Sequence, residues 1–320
     1  MISVVVPALN EETGVRELYS RITTAATSWP APLHELIVVD DGSTDLTLSI
    51  CRELAQQDQR FKIVSFTRNF GHQAAVSAGL QHATGRIVVV MDADLQDPPE
   101  TVAPFIEKLN AGFDVVYAVR TKRKEGPAKR AAYFLYYRLL RNLATLEIPL
   151  DAGDFCVMRG EVVQAICSLP ERNRFVRGLR TWVGYRQTGL AYERSARFAG
   201  EPKYTFSKLV KLALDGIINF SSKPLHLAFI FGVIVGAISF ALSVVVVVQY
   251  TFNLTILAYN PRNVPGWTSV ILVLLLSTAT QLVCIGILSE YVSRLFEESK
   301  KRPVYMVRER INIGAPETPR

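Results

Sequence analysis

Arg86-Ile87-Val88-Val89-Val90-Met91-Asp92-Ala93-Asp94-Leu95 sets an unbroken apolar run directly before two carboxylates at positions i and i+2. A short β-branched run of this kind predicts a strand buried on both faces. On an extended strand end, residues i and i+2 point the same way, so Asp92 and Asp94 can serve one ligand set. Gln96 continues that series with an amide oxygen. The same rhythm recurs in ISVVVPAL from Ile2, ELIVVDDGS from Glu35, KIVSFTRN from Lys62 and FDVVYAVR from Phe113. Helical patterns fill the intervals at 11–28, 44–58, 71–83 and 98–111. Strand and helix in alternation predict an α/β domain with a mostly parallel sheet covered by helices.

In such a sheet, ligands bind beyond the carboxyl ends of the strands. The polar residues fall there: Pro7 to Glu12, Asp40 to Asp45, Arg68 to His72, Asp92 to Asp97, and Arg120. Some have plain structural uses. Ser43 or Asp45 can cap a helix, and Pro98-Pro99 can start one behind Asp97. Capping does not explain why so many converge on one rim. The chain has no G-x-x-x-x-G-K-[ST] and no G-x-G, which excludes a P-loop and a dinucleotide fingerprint. Phosphate is then left to a metal and to basic side chains. Asp92, Asp94 and Gln96 offer the oxygen ligands that Mg²⁺ or Mn²⁺ takes alongside substrate phosphates.

The 320 residues carry 36 Lys and Arg against 29 Asp and Glu, a net charge of +7, and 49% are hydrophobic. Mean hydropathy is positive, +0.19. Disorder and collagen are excluded by this apolar content and by ordinary Gly and Pro usage. Four cysteines without C-x-x-C spacing indicate no zinc knuckle or redox pair. The stretches Leu225–Phe252 and Gly266–Leu288 contain no Lys, Arg, Asp or Glu. A bilayer core needs about 20 apolar residues in a helix, so two transmembrane helices are expected, at about 225–250 and 266–288. Lys203, Lys208, Lys211 and Lys223 precede the first, and Arg294, Lys300, Lys301 and Arg302 follow the second. The connector holds only Arg262. This bias places both termini and the α/β domain in the cytosol, in a multi-pass cytoplasmic-membrane protein. The chain begins directly with a strand-like run, so no signal peptide is expected.

Between Arg120 and Arg141, eight Lys and Arg accompany one acid, interleaved with Tyr133, Phe134, Tyr136 and Tyr137. That pattern fits an amphipathic helix at a membrane surface better than a nucleic-acid site. Phe206–Phe220 reads as a second interfacial helix. Arg172, Arg174, Arg177 and Arg180 add charge suited to anionic lipid or an acceptor phosphate. The expected organisation is a catalytic domain at 1–200, an interfacial helix and linker at 201–224, two transmembrane helices within 225–290, and a tail at 291–320. His34, His72, His82 and His226 lack metal-ligand spacing and read as structural or solvated, with His72 on the rim.

PALNEE, VVDDGSTD, RNFGHQAA and DADLQDPPE resemble the nucleotide-sugar half of the family 2 glycosyltransferases, whose fold is called GT-A. GDFCVMRG at 153–160, RFVRGL at 174–179, RFAGEPKYTFSKL at 197–209 and INFSSKPL at 218–225 narrow this to the polyprenyl-phosphate glycosyltransferases. Within that group, which includes dolichyl-phosphate mannose synthase, the pattern is most like the bactoprenol glucosyltransferases. The resemblance implies that Pro7, Ala8, Asn10, Glu11, Asp40, Asp41, Arg68, Asn69, Gly71, Asp92 and Ala93 hold the nucleoside. Asp92, Asp94 and Gln96 would ligate Mg²⁺ or Mn²⁺, and Arg120, Arg197, Lys203 and Tyr204 would close over the phosphates. Asp94, Asp92 and Asp154 would carry catalysis, with Asp151 the rival of Asp154 beneath the sugar. The implied reaction is inverting transfer of one sugar, UDP-glucose by preference, to undecaprenyl phosphate at the cytoplasmic leaflet. UDP-GlcNAc, UDP-aminoarabinose and GDP-mannose are the alternative donors. The resemblance also suggests a homo-oligomer, a tetramer among the options. An inactive membrane scaffold is the reading from another class, and the three metal-type ligands argue against it. A processive synthase would need a Q-x-x-R-W motif, which is absent.

Overall fold

The computed structural model describes residues 1–120, 152–172, 174–192, 223–253 and 267–314. The chain divides into two compact units, one holding 1–142, 146–216 and 301–320, the other 143–145 and 217–300.

In the first unit the predicted runs become β1 (Ile2–Ala8), β2 (Leu33–Asp40), β3 (Phe61–Phe66), β4 (Ile87–Val90) and β5 (Val115–Arg120). Between them lie α1 (Val15–Ala26), α2 (Thr47–Gln57), α3 (His72–His82) and α4 (Val102–Asn110). The family-type segment GDFCVMRG lies in β6 (Ala152–Arg159), followed by α5 (Gly160–Ser168), α6 (Val176–Trp182) and β7 (Gln187–Tyr192). A last strand, β8 (Val307–Ile311), comes from the tail, where the sequence pattern signals no strand.

The eight strands form one sheet in the order β7-β5-β6-β4-β1-β2-β3-β8. β1 pairs in parallel with both β2 and β4, β2 with β3, and β5 with β7. β6 runs against β4 and β5, and β8 runs against β3. The sheet is therefore mixed but mostly parallel, as predicted. Its strand order reverses between β1 and β4, since β2 and β3 build outward on one side of β1 and β4 returns to the other. A crevice opens at such a point, beyond the carboxyl ends of the two strands.

Both faces are covered. Val15, Leu18 and Ile22 of α1, Cys51 and Leu54 of α2, and Phe105 and Ile106 of α4 share one core with Val4, Val6, Leu36, Val38 and Val89. α3 lies on the other face, over Val5 and Val39, and a Cβ at Gly79 would collide with Val5, so only glycine permits this approach. Burying the apolar runs on both faces supplies the main stabilisation, about 1.5–3 kcal/mol for each large side chain removed from water.

The second unit contributes two helices, α7 (Lys223–Phe252) and α8 (Trp267–Ser299). α7 contains the first charge-free stretch, and α8 the second from Trp267 onward. The side chains described on them are not contiguous, and among the described residues no helix is long and apolar enough to cross a membrane. The expected transmembrane hairpin is thus not carried by the described residues. The predicted interfacial segments, the basic run after Arg120 and Phe206–Phe220, lie outside them.

Candidate active site

The rim at the β1/β4 crossing is assembled from loops that satisfy each other's backbone. After β1, Asn10 takes a left-handed conformation (φ 55°) and its Oδ1 accepts from the Thr44 amide at 2.9 Å. The Ser43 hydroxyl accepts in return from the Asn10 amide at 3.0 Å, and Thr47 Oγ1 accepts from the Glu11 amide at 2.8 Å. Asp45 accepts from Thr47 and Glu12 amides, and these bonds hold its carboxyl below the usual range against the opposing effect of burial. Loops β1–α1 and β2–α2 are thereby laced together.

Asp40 and Asp41 were expected to face a base or ribose. Both are buried, and both carboxylates are taken up by protein groups. Asp40 accepts from the Ser43 amide at 3.0 Å and from Ser65 Oγ at 2.9 Å. Asp41 accepts from the amides of Phe70 at 2.7 Å and Gly71 at 3.0 Å. Those amides precede α3, so Asp41 fixes the entry to that helix. Burial raises its pKa despite these bonds. Gly71 needs its glycine for φ 100°, and Gly42 for φ 74° with Arg68 and Asn69 packed against it.

β4 ends at Val90, but its alternation continues. Met91, Ala93, Leu95 and Asp97 are buried, whereas Asp92, Asp94 and Gln96 are partly exposed. The three expected ligand residues are thus the partly exposed members of the segment that follows β4. Asp94 accepts from the Gln96 amide at 3.1 Å, and Leu95 adopts φ 56° to make that turn. Beneath it, Asp97 is bonded to Tyr192 of β7. Burial pushes the Asp92 carboxyl up to about 6; the charges of Asp154, Asp97 and Asp94 add to this, and His72 opposes it. Among the described residues no three His, Cys, Asp or Glu side chains converge as a ready-made metal site. Two carboxylates and an amide with surplus negative charge nevertheless fit Mg²⁺ or Mn²⁺, which keep open positions for substrate oxygens.

Asp154 on β6 faces this cluster. Arg177 of α6 donates to it twice, Nε to Oδ1 at 2.7 Å and Nη2 to Oδ2 at 2.9 Å. His72 Nε2 stands 3.4 Å from Asp154 and 3.8 Å from Asp92, tying the two carboxylates to one spot. Burial alone would raise the Asp154 pKa; the charge and hydrogen bonds of Arg177, with the nearby His72, hold it well below the carboxylate range. The His72 cation is disfavoured by burial, but Asp154 and Asp92 push its pKa up to about 9. Gln73 Oε1 accepts from the Val176 amide at 2.9 Å and so places α6 against α3.

Sequence reasoning gave Arg177 to anionic lipid or an acceptor phosphate and read His72 as structural or solvated on the rim; the structure sets both against Asp154. Their pairing depends on α3, β6 and α6 meeting, which no local pattern states. The expected site residues Asp151, Arg197, Lys203 and Tyr204 lie outside the described residues, as does the Arg120 side chain.

Residues 3–167 match Glycosyl transferase family 2. Over 97% of this chain and 94% of its own length, an uncharacterized glycosyltransferase of Bacillus subtilis is 42% identical. A bactoprenol glucosyl transferase of Shigella phage SfX is 39% identical over 97% of this chain and 99% of its own length. A solved glucosyl-3-phosphoglycerate synthase from Mycobacterium tuberculosis, in complex with Mg²⁺ and uridine-diphosphate, is 25% identical with a TM-score of 0.48, covering 68% of this chain and 77% of that one. With the mostly parallel sheet, its reversal between β1 and β4 and these matched residues in hand, the chain belongs to glycosyl transferase family 2 and is a glycosyltransferase of GT-A fold.

Proposed function

We propose that the enzyme transfers one sugar, with inversion, from a nucleotide diphosphate sugar to a polyprenyl phosphate at a membrane surface. The observation that carries this reading is the partly exposed group Asp92, Asp94 and Gln96 beyond β4, with the Arg177-bound Asp154 beside it at the end of the neighbouring strand β6. The names of full-length relatives support the lipid acceptor, and UDP-glucose is the preferred donor on the same ground.

Asn10, Glu11, Arg68, Asn69 and Gly71 line the nucleoside, in walls shaped by the buried Asp40 and Asp41; Pro7, Ala8 and Ala93 form its floor. Asp92, Asp94 and Gln96 hold Mg²⁺ or Mn²⁺. When bound, the cation neutralises charge on the departing nucleoside diphosphate. Arg120, Arg197, Lys203 and Tyr204 are assigned to the phosphates by family resemblance.

The acceptor is a phosphate monoester with a second pKa of about 6, so it arrives largely as a dianion and needs no strong base. Asp154 suits that chemistry. A carboxylate pinned by Arg177 and held far below neutrality is a poor proton acceptor but a fixed anchor for sugar hydroxyls. We assign it the positioning of the sugar, and to His72 and Arg177 the positioning of Asp154.

The lipid acceptor also gives α7 and α8 a task, as the membrane anchor. Supporting this, α7 has no charged residue from Leu225 to Phe252, and Phe229, Phe240, Val247, Leu274 and Leu282 are more than half exposed. Apolar side chains exposed over such a length need cover.

The test is transfer in detergent with undecaprenyl phosphate, Mg²⁺ or Mn²⁺ and a panel of labelled UDP- and GDP-sugars. A lipid-linked product from one donor, lost with EDTA and in Asp94→Ala, supports the proposal and identifies the sugar. Nucleotide binding without any lipid product would sink the acceptor assignment.

A further inference from the structure

The segment after α8 does more than close the sheet edge. Val307–Ile311 pairs with β3, and the Thr67 amide donates to the Met306 carbonyl at 3.0 Å. Asn312 Nδ2 donates to the carbonyls of Ala55 at 2.8 Å and Phe61 at 2.9 Å, and Arg52 pairs with Glu309. These bonds explain a stable edge strand. They do not require an aromatic residue at 305.

Tyr305 nevertheless stacks on Phe66, with ring centroids 4.8 Å apart and planes 17° apart. Phe66 meets Phe70 edge-on at 5.7 Å and 87°. The Arg68 guanidinium lies 4.0 Å from the Phe70 ring centre. Phe70 in turn donates its amide to Asp41, which also holds Gly71. Tyr305, Phe66, Phe70 and Arg68 form a continuous stack that ends on the loop carrying Arg68, Asn69 and Gly71. The Tyr305 hydroxyl donates to Gln81 of α3, which anchors its outer end.

We propose that Tyr305 is a positioning residue for nucleotide-sugar binding, acting through Phe66 and Phe70 to hold the β3–α3 loop. The proposal rests on the reading of that loop as the nucleoside wall. Phe66 is buried at the strand end, while Phe70 is only partly buried, so its ring needs a neighbour to choose one orientation. Arg68 and Asn69 are exposed, and the ring under Arg68 orders its long side chain before a ligand arrives. The loop has little freedom to compensate, because Asp41 and Gly42 press on it from β2. Loss of the Tyr305 ring would therefore loosen donor binding while leaving Asp92, Asp94 and Asp154 in place. An effect on donor KM without an effect on kcat is the signature.

The experiment uses the full chain in detergent, with Tyr305→Ala, Tyr305→Phe and Arg52→Ala. Donor and acceptor KM and kcat are measured, UDP binding is titrated in the absence of acceptor, and hydrogen exchange is followed at the Phe70 and Gly71 amides. Tyr305→Ala is expected to weaken donor KM and UDP binding about three- to tenfold, the worth of an aromatic pair, with kcat and acceptor KM within twofold. Exchange at Phe70 and Gly71 quickens by a similar factor. Tyr305→Phe keeps the ring and restores wild-type donor KM. Arg52→Ala breaks the edge ion pair without touching the stack and leaves donor KM unchanged. Unchanged donor KM in Tyr305→Ala, or an equal rise in Arg52→Ala, would overturn the proposal. If wild-type protein binds no UDP, the reading of the nucleoside wall fails instead. The exchange rates then judge the stack by itself, and no change at Phe70 and Gly71 refutes it.

Discussion

Arg177 holds Asp154 through two parallel hydrogen bonds, at 2.7 and 2.9 Å, and joins α6 to β6 where β6 faces the β4 strand end. A planar fork on a carboxylate sets both its position and its orientation, which a lysine cannot do. Arg177→Lys is therefore expected to lower kcat about 100-fold, the order of loss seen when a reacting group is displaced by an ångström. Arg177→Ala should do the same and also lower Tm. A Lys variant with wild-type kcat would show that only the charge matters.

Asp92 stands among Asp94, Asp97 and Asp154, and its burial disfavours the charged form. Asp92→Asn removes that repulsion. With divalent metal chelated, thermal unfolding of Asp92→Asn should occur above the wild-type temperature, while transfer in Mg²⁺ falls about 100- to 1,000-fold. A variant that is both less stable and fully active would contradict the assignment.

Glu35 governs the acid side of stability. It is fully buried on β2, bonded by Ser3 Oγ, the Thr84 amide and hydroxyl, and the Lys62 ammonium. Burial would raise its pKa, but these partners more than offset that and lower it. A depressed folded pKa stabilises the fold above the unfolded pKa of about 4.3 and loses that contribution as pH falls through the folded value. Glu35→Gln should cost about 1–3 kcal/mol at pH 7, and the gap to wild type should narrow as denaturation is repeated from pH 5 down to pH 3. A gap that does not change with pH would refute the charge's role.

Gly42 sits at φ 74°, and a Cβ there would come within 2.5 Å of the Arg68 carbonyl carbon. Gly42→Ala pays the left-handed strain, about 1–2 kcal/mol, and also pushes on the β3–α3 loop. Tm should fall and donor KM should rise together. Gly71→Ala meets only the strain, because nothing lies near its missing Cβ, so it should lower Tm with a smaller change in donor KM.

The strands of the parallel half were legible because burial on both faces imposes continuous apolar runs, and β1 to β5 follow those runs closely. β8 was not, since Val307-Arg-Glu-Arg-Ile311 is an edge strand with three charged residues in five, Arg308 and Arg310 exposed, and its signal is as faint as edge protection requires. The alternation of buried Met91, Ala93, Leu95 and Asp97 with partly exposed Asp92, Asp94 and Gln96 was legible because it is local, while the turn at Leu95, with φ 56°, was not. Asp40 and Asp41 were harder, because a carboxylate at a strand end looks the same whether it meets a ligand or caps a neighbouring loop. Only the amides of Ser43, Phe70 and Gly71 reveal the second use. The Arg177–Asp154 and Tyr305–Phe66 partnerships join segments too far apart in sequence for any periodicity to record.

Pairing β3 with β8 also imposes a timetable on biosynthesis. Arg52 and its partner Glu309 are separated by 257 positions, so at a ribosomal pace of about 5–20 residues per second the open β3 edge waits on the order of tens of seconds. During that interval α7 and α8 must emerge and find their surroundings, and Phe66 lacks its Tyr305 cover. The nascent sheet is thus exposed to edge-to-edge association while the apolar helices are being delivered, and the β3–α3 loop reaches its final form only after they are out.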